Sequence, residues 1–478
     1  MTEHLPEYNN YVNGCFVPSL THVEVTNPAN HSVIARVPRS SQGEIAAAVA
    51  AAHAAKTGWA RRTNSDRAGY LTRLATAIRQ EREYFRDIIV REQGKTQGLA
   101  QVEVDFTADY LDYMAGWALR FEGEVIPSER KNESILLTYR PLGVVAGILP
   151  WNFPFFLIVR KLAPALLTGN TIVIKPSSET PVNAFEFARL VDKIGLPDGV
   201  FNLVGGDGAA GEALAGDPRV DLVTFTGSVP TGRRIMEVAA RNLTRVNLEL
   251  GGKAPAIVLA DADLDLAAES IWKSRVINTG QVCNCAEKVL VEHSVHDALV
   301  EKLRVLFEGT SFGNPSEVRD LDMGPLINTR SVDRMAQVVD DAVAQGATVV
   351  VGGNVVDIPG NHFAPTLLTN VSPDMPVMRE ETFGPVLPVY AVRDLDEAIA
   401  ISNDSNFGLT SSIYTSSIDS AFKACRELEY GETYVNRENF EAMQGFHAGR
   451  KDSGIGGADG KHGLMEFVET HVAYIETR

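Results

Sequence analysis

The sequence predicts an α/β protein of two domains, each a parallel sheet with helices on both faces. Three observations lead there. Short β-prone runs alternate with helix-length runs from Tyr139 onward, the alternation pauses at Gly251-Gly252 and then resumes, and 478 residues exceed what one simple core accommodates.

Ahead of the alternation, 41–118 is rich in Ala, Arg, Glu and Leu at helical spacing and reads as successive helices. In the first alternating block, strands are expected over 143–149, 171–174, 199–204 and 222–226, with helices over 155–167, 181–194 and 231–241. The second block opens with strand 256–259, helix 264–277, strand 289–291 and helix 295–307. It continues through 348–351, 386–392, a helix over 396–403, 411–415 and 432–436. The β-prone pieces 126–139 and 472–477 fall outside either rhythm. Orphan strands of this kind pair with each other or with another subunit, which points to an oligomer.

Composition narrows the function classes. With 45% hydrophobic and 22% charged residues the chain is an ordinary globular protein, with no repeat or low-complexity segment. A net charge of −17 leaves no basic face for nucleic acid or for an anionic membrane surface. Four cysteines make no disulfide framework, and 1–18 lacks the apolar stretch of a signal peptide, so a cytoplasmic location is expected. The most apolar stretch, 144–159, is too short to span a bilayer and is broken by Pro150, Asn152 and Pro154.

Several short motifs carry chemistry. Gly206-Asp207-Gly208-Ala209-Ala210-Gly211 has the spacing of a dinucleotide fingerprint, but the next strand ends in Thr224-Phe225-Thr226-Gly227 with no acid for a ribose hydroxyl, so a glycine-rich connection is the better reading. At Phe225-Thr226-Gly227-Ser228 a strand turns into a helix whose free N–H groups suit a pyrophosphate, or whose Ser228 is a plain N-cap. The segment Asn278 to Cys285 places Cys283 in a glycine-containing turn after a helix, a setting for a nucleophilic thiol. A metal is not expected, because Cys283 and Cys285 have no second pair at ligand spacing. Glu249 ends an apolar strand against a diglycine and suits a partly desolvated general base, while Asn152, braced by Pro150 and Pro154, suits an oxyanion donor.

In order and over nearly the whole chain, Asn27–Ala29, Pro150–Pro154, Lys175–Ser177, Phe225–Ser228, Glu249–Lys253, Gly280–Cys283, Glu380–Pro385 and Ser453–Gly457 resemble the aldehyde dehydrogenase superfamily. The resemblance implies two Rossmann-like α/β domains and a small β oligomerisation domain. Residues 1–125 and 140–250 would form the cofactor-binding domain, 251–450 the catalytic domain, and 126–139 with 451–478 the oligomerisation strands of a dimer or tetramer, with homotetramer the expectation. It implies Cys283 as nucleophile, Glu249 as base for the deacylating water, and Asn152 with the Cys283 N–H as oxyanion hole. Pro150, Trp151, Lys175, Pro176, Ser177, Ser178, Gly227, Ser228, Glu381 and Phe383 would hold the nicotinamide cofactor.

Two details refine this. NAD-specific members carry Glu where this chain has Ser178, which leaves room for a 2′-phosphate; NADP is therefore expected alongside NAD, with room for a preference for NADP, although Glu179 stands next door. The stretches 110–117, 150–170, 274–286 and 436–447 resemble the lactaldehyde dehydrogenase branch, implying a small hydroxyaldehyde (lactaldehyde or glycolaldehyde) held by Arg160, Asn284, Glu441 and His447. The alternative for the last two is that they pair with each other in a loop. Arg450-Lys451-Asp452 departs from the family pattern and puts the nearby loop in question. Rival readings are a succinate-type semialdehyde dehydrogenase, opposed by Glu441; a CoA-acylating relative, opposed by Glu249; and a non-catalytic binding protein, opposed by Cys283, Glu249, Asn152 and Lys175 together.

Overall fold

The computed structural model describes residues 5–478; positions 1–4 of the polar N-terminal stretch lie outside the described residues. The expected helical segment is four helices, Gln42–Ala60, Asn64–Gln80, Arg82–Gln93 and Gln97–Ala115. The first opens with a reciprocal cap between Ser41 and Glu44, and the third ends where Gly94 takes a left-handed φ of 75°.

The first alternating block forms one sheet whose five central strands run parallel in the order Phe201–Leu203, Thr171–Lys175, Val144–Ile148, Leu222–Thr226, Arg245–Glu249. Antiparallel strands close its two sides: Asn10–Val12 with Cys15–Val17 on one, Gly454–Ile455 on the other. All five residues of Val144–Ile148 and of Thr171–Lys175 are buried, as continuous apolar strands covered on both faces must be. Helix Phe156–Thr168 is buried along its whole length, Arg160 and Lys161 included.

The second block forms a sheet in the order Thr348–Val351, Thr366–Thr369, Val386–Val392, Ala286–Glu292, Ala254–Val258, Thr410–Tyr414, Glu432–Val435, parallel except for the first pair. The sequence pattern missed Thr366–Thr369 and the helices Thr329–Ala344 and Ile418–Glu427. The two orphan pieces pair with each other: Val468–Glu476 runs antiparallel to Glu133–Pro141, which also pairs with Glu124–Pro127. Within 451–478 this strand alone joins that sheet, for Gly454–Ile455 edges the first sheet and helix Gly460–Met465 follows directly. No helix among the described residues is long and apolar enough to cross a membrane.

Candidate active site

The chain leaves Val144–Ile148 toward one side of the first sheet and returns to Leu222–Thr226 on the other. Their carboxyl ends therefore border a crevice at the switch point. Pro150, Trp151 and Asn152 follow the first strand, and Gly227 and Ser228 the second. The second sheet meets this crevice with its amino edge: Gly251-Gly252 precede Ala254–Val258, Cys283 precedes Ala286–Glu292, and Glu381 with Phe383 precede Val386–Val392. Between the two edges lies a cavity of about 650 Å³.

Sequence-derived candidates line it from both sides: Pro150, Trp151, Asn152, Arg160, Gly227, Ser228, Glu249, Cys283, Asn284, Glu381, Phe383, Glu441 and His447. Lys175, Pro176, Ser177 and Ser178 do not line it; they lie at the end of the neighbouring strand, Thr171–Lys175, with Lys175 buried and Ser178 exposed. Burial pushes Lys175 down to about 8. Glu179 accepts a hydrogen bond from Asn328 Nδ2 at 3.2 Å.

The turn that carries Cys283 is wound tightly. Asn278, Thr279 and Gly280 take successive φ values of 47°, 60° and 72°, so two non-glycine residues sit in the left-handed region at a cost of roughly 1–2 kcal/mol each. Buried hydrogen bonds offset this. Arg275 donates to the carbonyls of Gly280 (2.6 Å) and Ala286 (2.9 Å), and Gln281 donates from Nε2 to Asn278 O (3.0 Å) and accepts from Ile327 N (2.9 Å). Asn152 Nδ2 donates to Gln281 O at 3.0 Å, which ties the oxyanion candidate to the cysteine turn. Cys283 is half-buried and lines the cavity with His447, whereas Cys285 is buried and donates its thiol to Val282 O. Burial raises the Cys283 thiol above its ordinary value, with His447 opposing; it lifts Cys285 to about 12.

The diglycine lets these parts approach. A Cβ on Gly251 would stand 2.4 Å from the Glu381 carboxylate, and one on Gly252 would stand 2.5 Å from the Cys283 carbonyl. Gly252 N donates to Glu381 Oε1 at 2.9 Å, and burial lifts Glu381 to about 7. Trp151 meets Phe383 edge to face at 5.5 Å. Helix Val229–Ala239 has no side-chain cap, since Ser228 Oγ bonds Thr231 Oγ1 at 2.9 Å, so its N–H groups stay available to an anion. Helix Gly208–Ala215, at the glycine-rich connection, is by contrast capped by Asp207 itself.

Glu249 accepts from Thr226 Oγ1 at 2.6 Å and lies 3.5 Å from Lys161 Nζ and 3.9 Å from Arg160 Nε. Burial works against this carboxylate, but Lys161, Arg160, His447 and Thr226 outweigh it and hold Glu249 at about 2. Glu441 and His447 do not hydrogen-bond each other. Glu441 accepts from Asn284 Nδ2 and sits 3.4 Å from Arg160, while His447 Nδ1 meets Glu432 Oε1 at 3.2 Å. Arg450, Lys451 and Asp452 point elsewhere, pairing with Phe407–Gly408, Glu429 and Arg233, so the departure from the family pattern does not reach the cavity lining.

Sequence reading missed Lys161, Glu432, Glu287, Asp459 and the pair Lys95–Glu103. Arg160-Lys161 inside an otherwise apolar helix was a readable signal, because adjacent buried cations need partners. Among the described residues no cluster of His, Cys, Asp or Glu is arranged for a metal ion.

Fold and site together define the class: the chain belongs to the aldehyde dehydrogenase family, whose model matches residues 16–473, and it is an NAD(P)-dependent enzyme of that family. It is 55% identical over 470 residues to lactaldehyde dehydrogenase of Escherichia coli (strain K12), covering 98% of each chain. The crystal structure of lactaldehyde dehydrogenase from Escherichia coli superposes with a TM-score of 0.98 at 54% identity, over 99% of this chain and 100% of that one. Betaine aldehyde dehydrogenase from Staphylococcus aureus, in complex with NAD+, superposes at 0.96 with 33% identity, over 99% and 95%.

Proposed function

We infer that the chain oxidises a small hydroxyaldehyde, of the lactaldehyde and glycolaldehyde kind, to its carboxylate. The observation that carries this is the polar end of the cavity, where Arg160, Asn284, Glu441 and His447 converge with Cys283. A hydroxyl beside the carbonyl needs such fixed donors and acceptors. The likeness to the Escherichia coli lactaldehyde dehydrogenase supports the same substrate class.

The Cys283 thiol first gives up its proton to water; the thiolate sulfur then adds to the aldehyde carbon, and the carbonyl π pair moves onto oxygen. Asn152 meets that oxygen with the amide hydrogen that is not given to Gln281, beside the Cys283 N–H. Bound nicotinamide supplies the acceptor for the hydride, which leaves a thioester on Cys283. Glu249 turns from Lys161 and takes a proton from water; the water oxygen bonds the acyl carbon, the C–S bond breaks, and the Cys283 thiolate is restored.

For the cofactor, the uncapped helix start at Gly227-Ser228 suits the pyrophosphate, and Pro150, Trp151, Glu381 and Phe383 enclose the nicotinamide half. Lys175, Pro176, Ser177 and Ser178 receive the adenosine ribose. Exposed Ser178 leaves space for a 2′-phosphate, and Glu179 is engaged by Asn328, so NADP is accepted beside NAD. Residues 1–125 and 140–250 form the cofactor domain, 251–450 the catalytic domain, and the antiparallel sheet the oligomer contact. Four free cysteines suit a cytoplasmic setting.

The test is steady-state formation of reduced cofactor, without CoA, from glycolaldehyde, L-lactaldehyde, succinate semialdehyde and a long alkanal, each with NAD and with NADP. The two hydroxyaldehydes should give the highest kcat/KM, with a usable NADP rate. A higher value for succinate semialdehyde would overturn the substrate assignment.

A further inference from the structure

Arg160 is a cation in the wall of a substrate cavity, and such a residue ordinarily invites an anionic substrate. Here three carboxylates already stand around its guanidinium. Asp459 grips it in bidentate fashion, accepting from Nε at 3.0 Å and from Nη2. Nη1 faces Glu441 at 3.4 Å, and Glu249 stands 3.9 Å from Nε. Burial would lower the Arg160 pKa, but Asp459, Glu249 and Glu441 outweigh it and hold it well above the ordinary value, so the cation is permanent. With the neighbours counted, Arg160, Lys161 and His447 stand against Glu249, Glu432, Glu441 and Asp459, and the cluster carries no surplus positive charge.

Asp459 is itself held in place at some cost. It is 2% exposed, and it adopts a left-handed φ of 72°, which a glycine would take more cheaply. The backbone there is pinned by paired hydrogen bonds between His447 and Ala458 (2.9 Å each) and by Gly463 N donating to Asp459 O at 2.8 Å. This strained, buried carboxylate is spent chiefly on the bidentate contact with Arg160.

We propose that Asp459 and Glu441 together occupy Arg160, with Asp459 as a specificity-determining positioning residue, so that the cavity excludes aldehydes bearing a carboxylate and admits neutral hydroxyaldehydes. This rests on the substrate reading above. Specificity is a difference of affinities, and withholding a counter-ion from the wrong substrate serves it as well as adding a contact to the right one.

The test compares kcat/KM for glycolaldehyde and succinate semialdehyde in the wild type, D459N, D459E and E441Q. D459N should move the ratio at least tenfold toward succinate semialdehyde, chiefly through its KM, and D459E should restore the wild-type ratio. E441Q frees the cavity-facing Nη1 and leaves the Asp459 grip intact; it should raise kcat/KM for succinate semialdehyde severalfold, and it keeps the proposal testable where D459N fails to fold. Equal losses for both substrates in folded D459N, or no gain for succinate semialdehyde in E441Q, would overturn the proposal. A wild type that prefers succinate semialdehyde would instead overturn the substrate reading.

Discussion

Cys283 sits where burial opposes its favourable neighbours, His447 first and Arg160 after it. Burial prevails, so in the unliganded enzyme the Cys283 thiol is held above its ordinary value and the neutral form is favoured. His447 is the main group pulling the other way: Glu441, Glu432 and the Cys283 contact outweigh its burial and the repulsion of Arg160, so the imidazole carries charge at neutral pH. Alkylation of Cys283 by iodoacetamide should therefore rise with pH and keep rising past the range where an ordinary cysteine levels off. H447Q should displace that profile to still higher pH; an unchanged or lowered profile would contradict this electrostatic account. At this scale the residues proposed to react were legible in the sequence because each lies in a locally distinctive setting: Cys283 after a glycine turn, Glu249 before a diglycine, Asn152 between prolines. Asp459, Glu432 and Glu287 were not, because a carboxylate in a turn or strand has no local signature and gains its meaning from a partner far away in sequence. Glu287 joins Lys253 (2.8 Å), Arg275 (2.9 Å) and the N–H groups of Thr382 and Phe383.

Two helices of the first sheet begin without a cap of their own and borrow one from the helical layer. Glu103 Oε1 accepts from Phe155 N at 2.9 Å and Phe156 N at 3.1 Å, at the head of Phe156–Thr168. Glu92 accepts from Val182 N at 2.7 Å and Asn183 N at 2.9 Å, at the head of Val182–Lys193. Glu103 also pairs with fully buried Lys95, which donates to Asn152 O at 2.8 Å, so the cap and the proline-braced Asn152 turn share one support. E103A would leave Lys95 buried and unpaired along with two N–H groups, and should cost about 3–5 kcal/mol by chemical denaturation, together with a fall in kcat/KM. A change below about 1 kcal/mol would show that the pair carries little of the stability. Helix and strand periodicity was readable in the sequence, but a cap donated across the fold was not, since no spacing rule links residue 103 to 155.

At the scale of the whole molecule, the alternation along the chain predicts two sheets, and both are present. It does not predict that the second sheet offers its amino edge to the carboxyl edge of the first, an arrangement fixed by the packing of the two bodies around the cavity. The third sheet leaves long edges open. Val472 (38%), Tyr474 (68%) and Ile475 (44%) on the tail and Val125 (76%) on the opposite edge are exposed, which fits strands that continue into another subunit. Light scattering should give an oligomer for the full chain and a monomer for a variant ending at Phe467; a monomeric full chain would refute the oligomer reading.

The central claim is that aldehyde carbon passes through a thioester on Cys283 that Glu249 helps to hydrolyse. Rapid mixing of E249Q with glycolaldehyde and NAD tests it most directly. A burst of about one reduced cofactor per subunit should appear, followed by turnover roughly 10²- to 10⁴-fold slower than wild type, with an acyl mass on the Cys283 peptide. Turnover at the wild-type rate with no burst, or a burst that survives in C283S, would contradict the account.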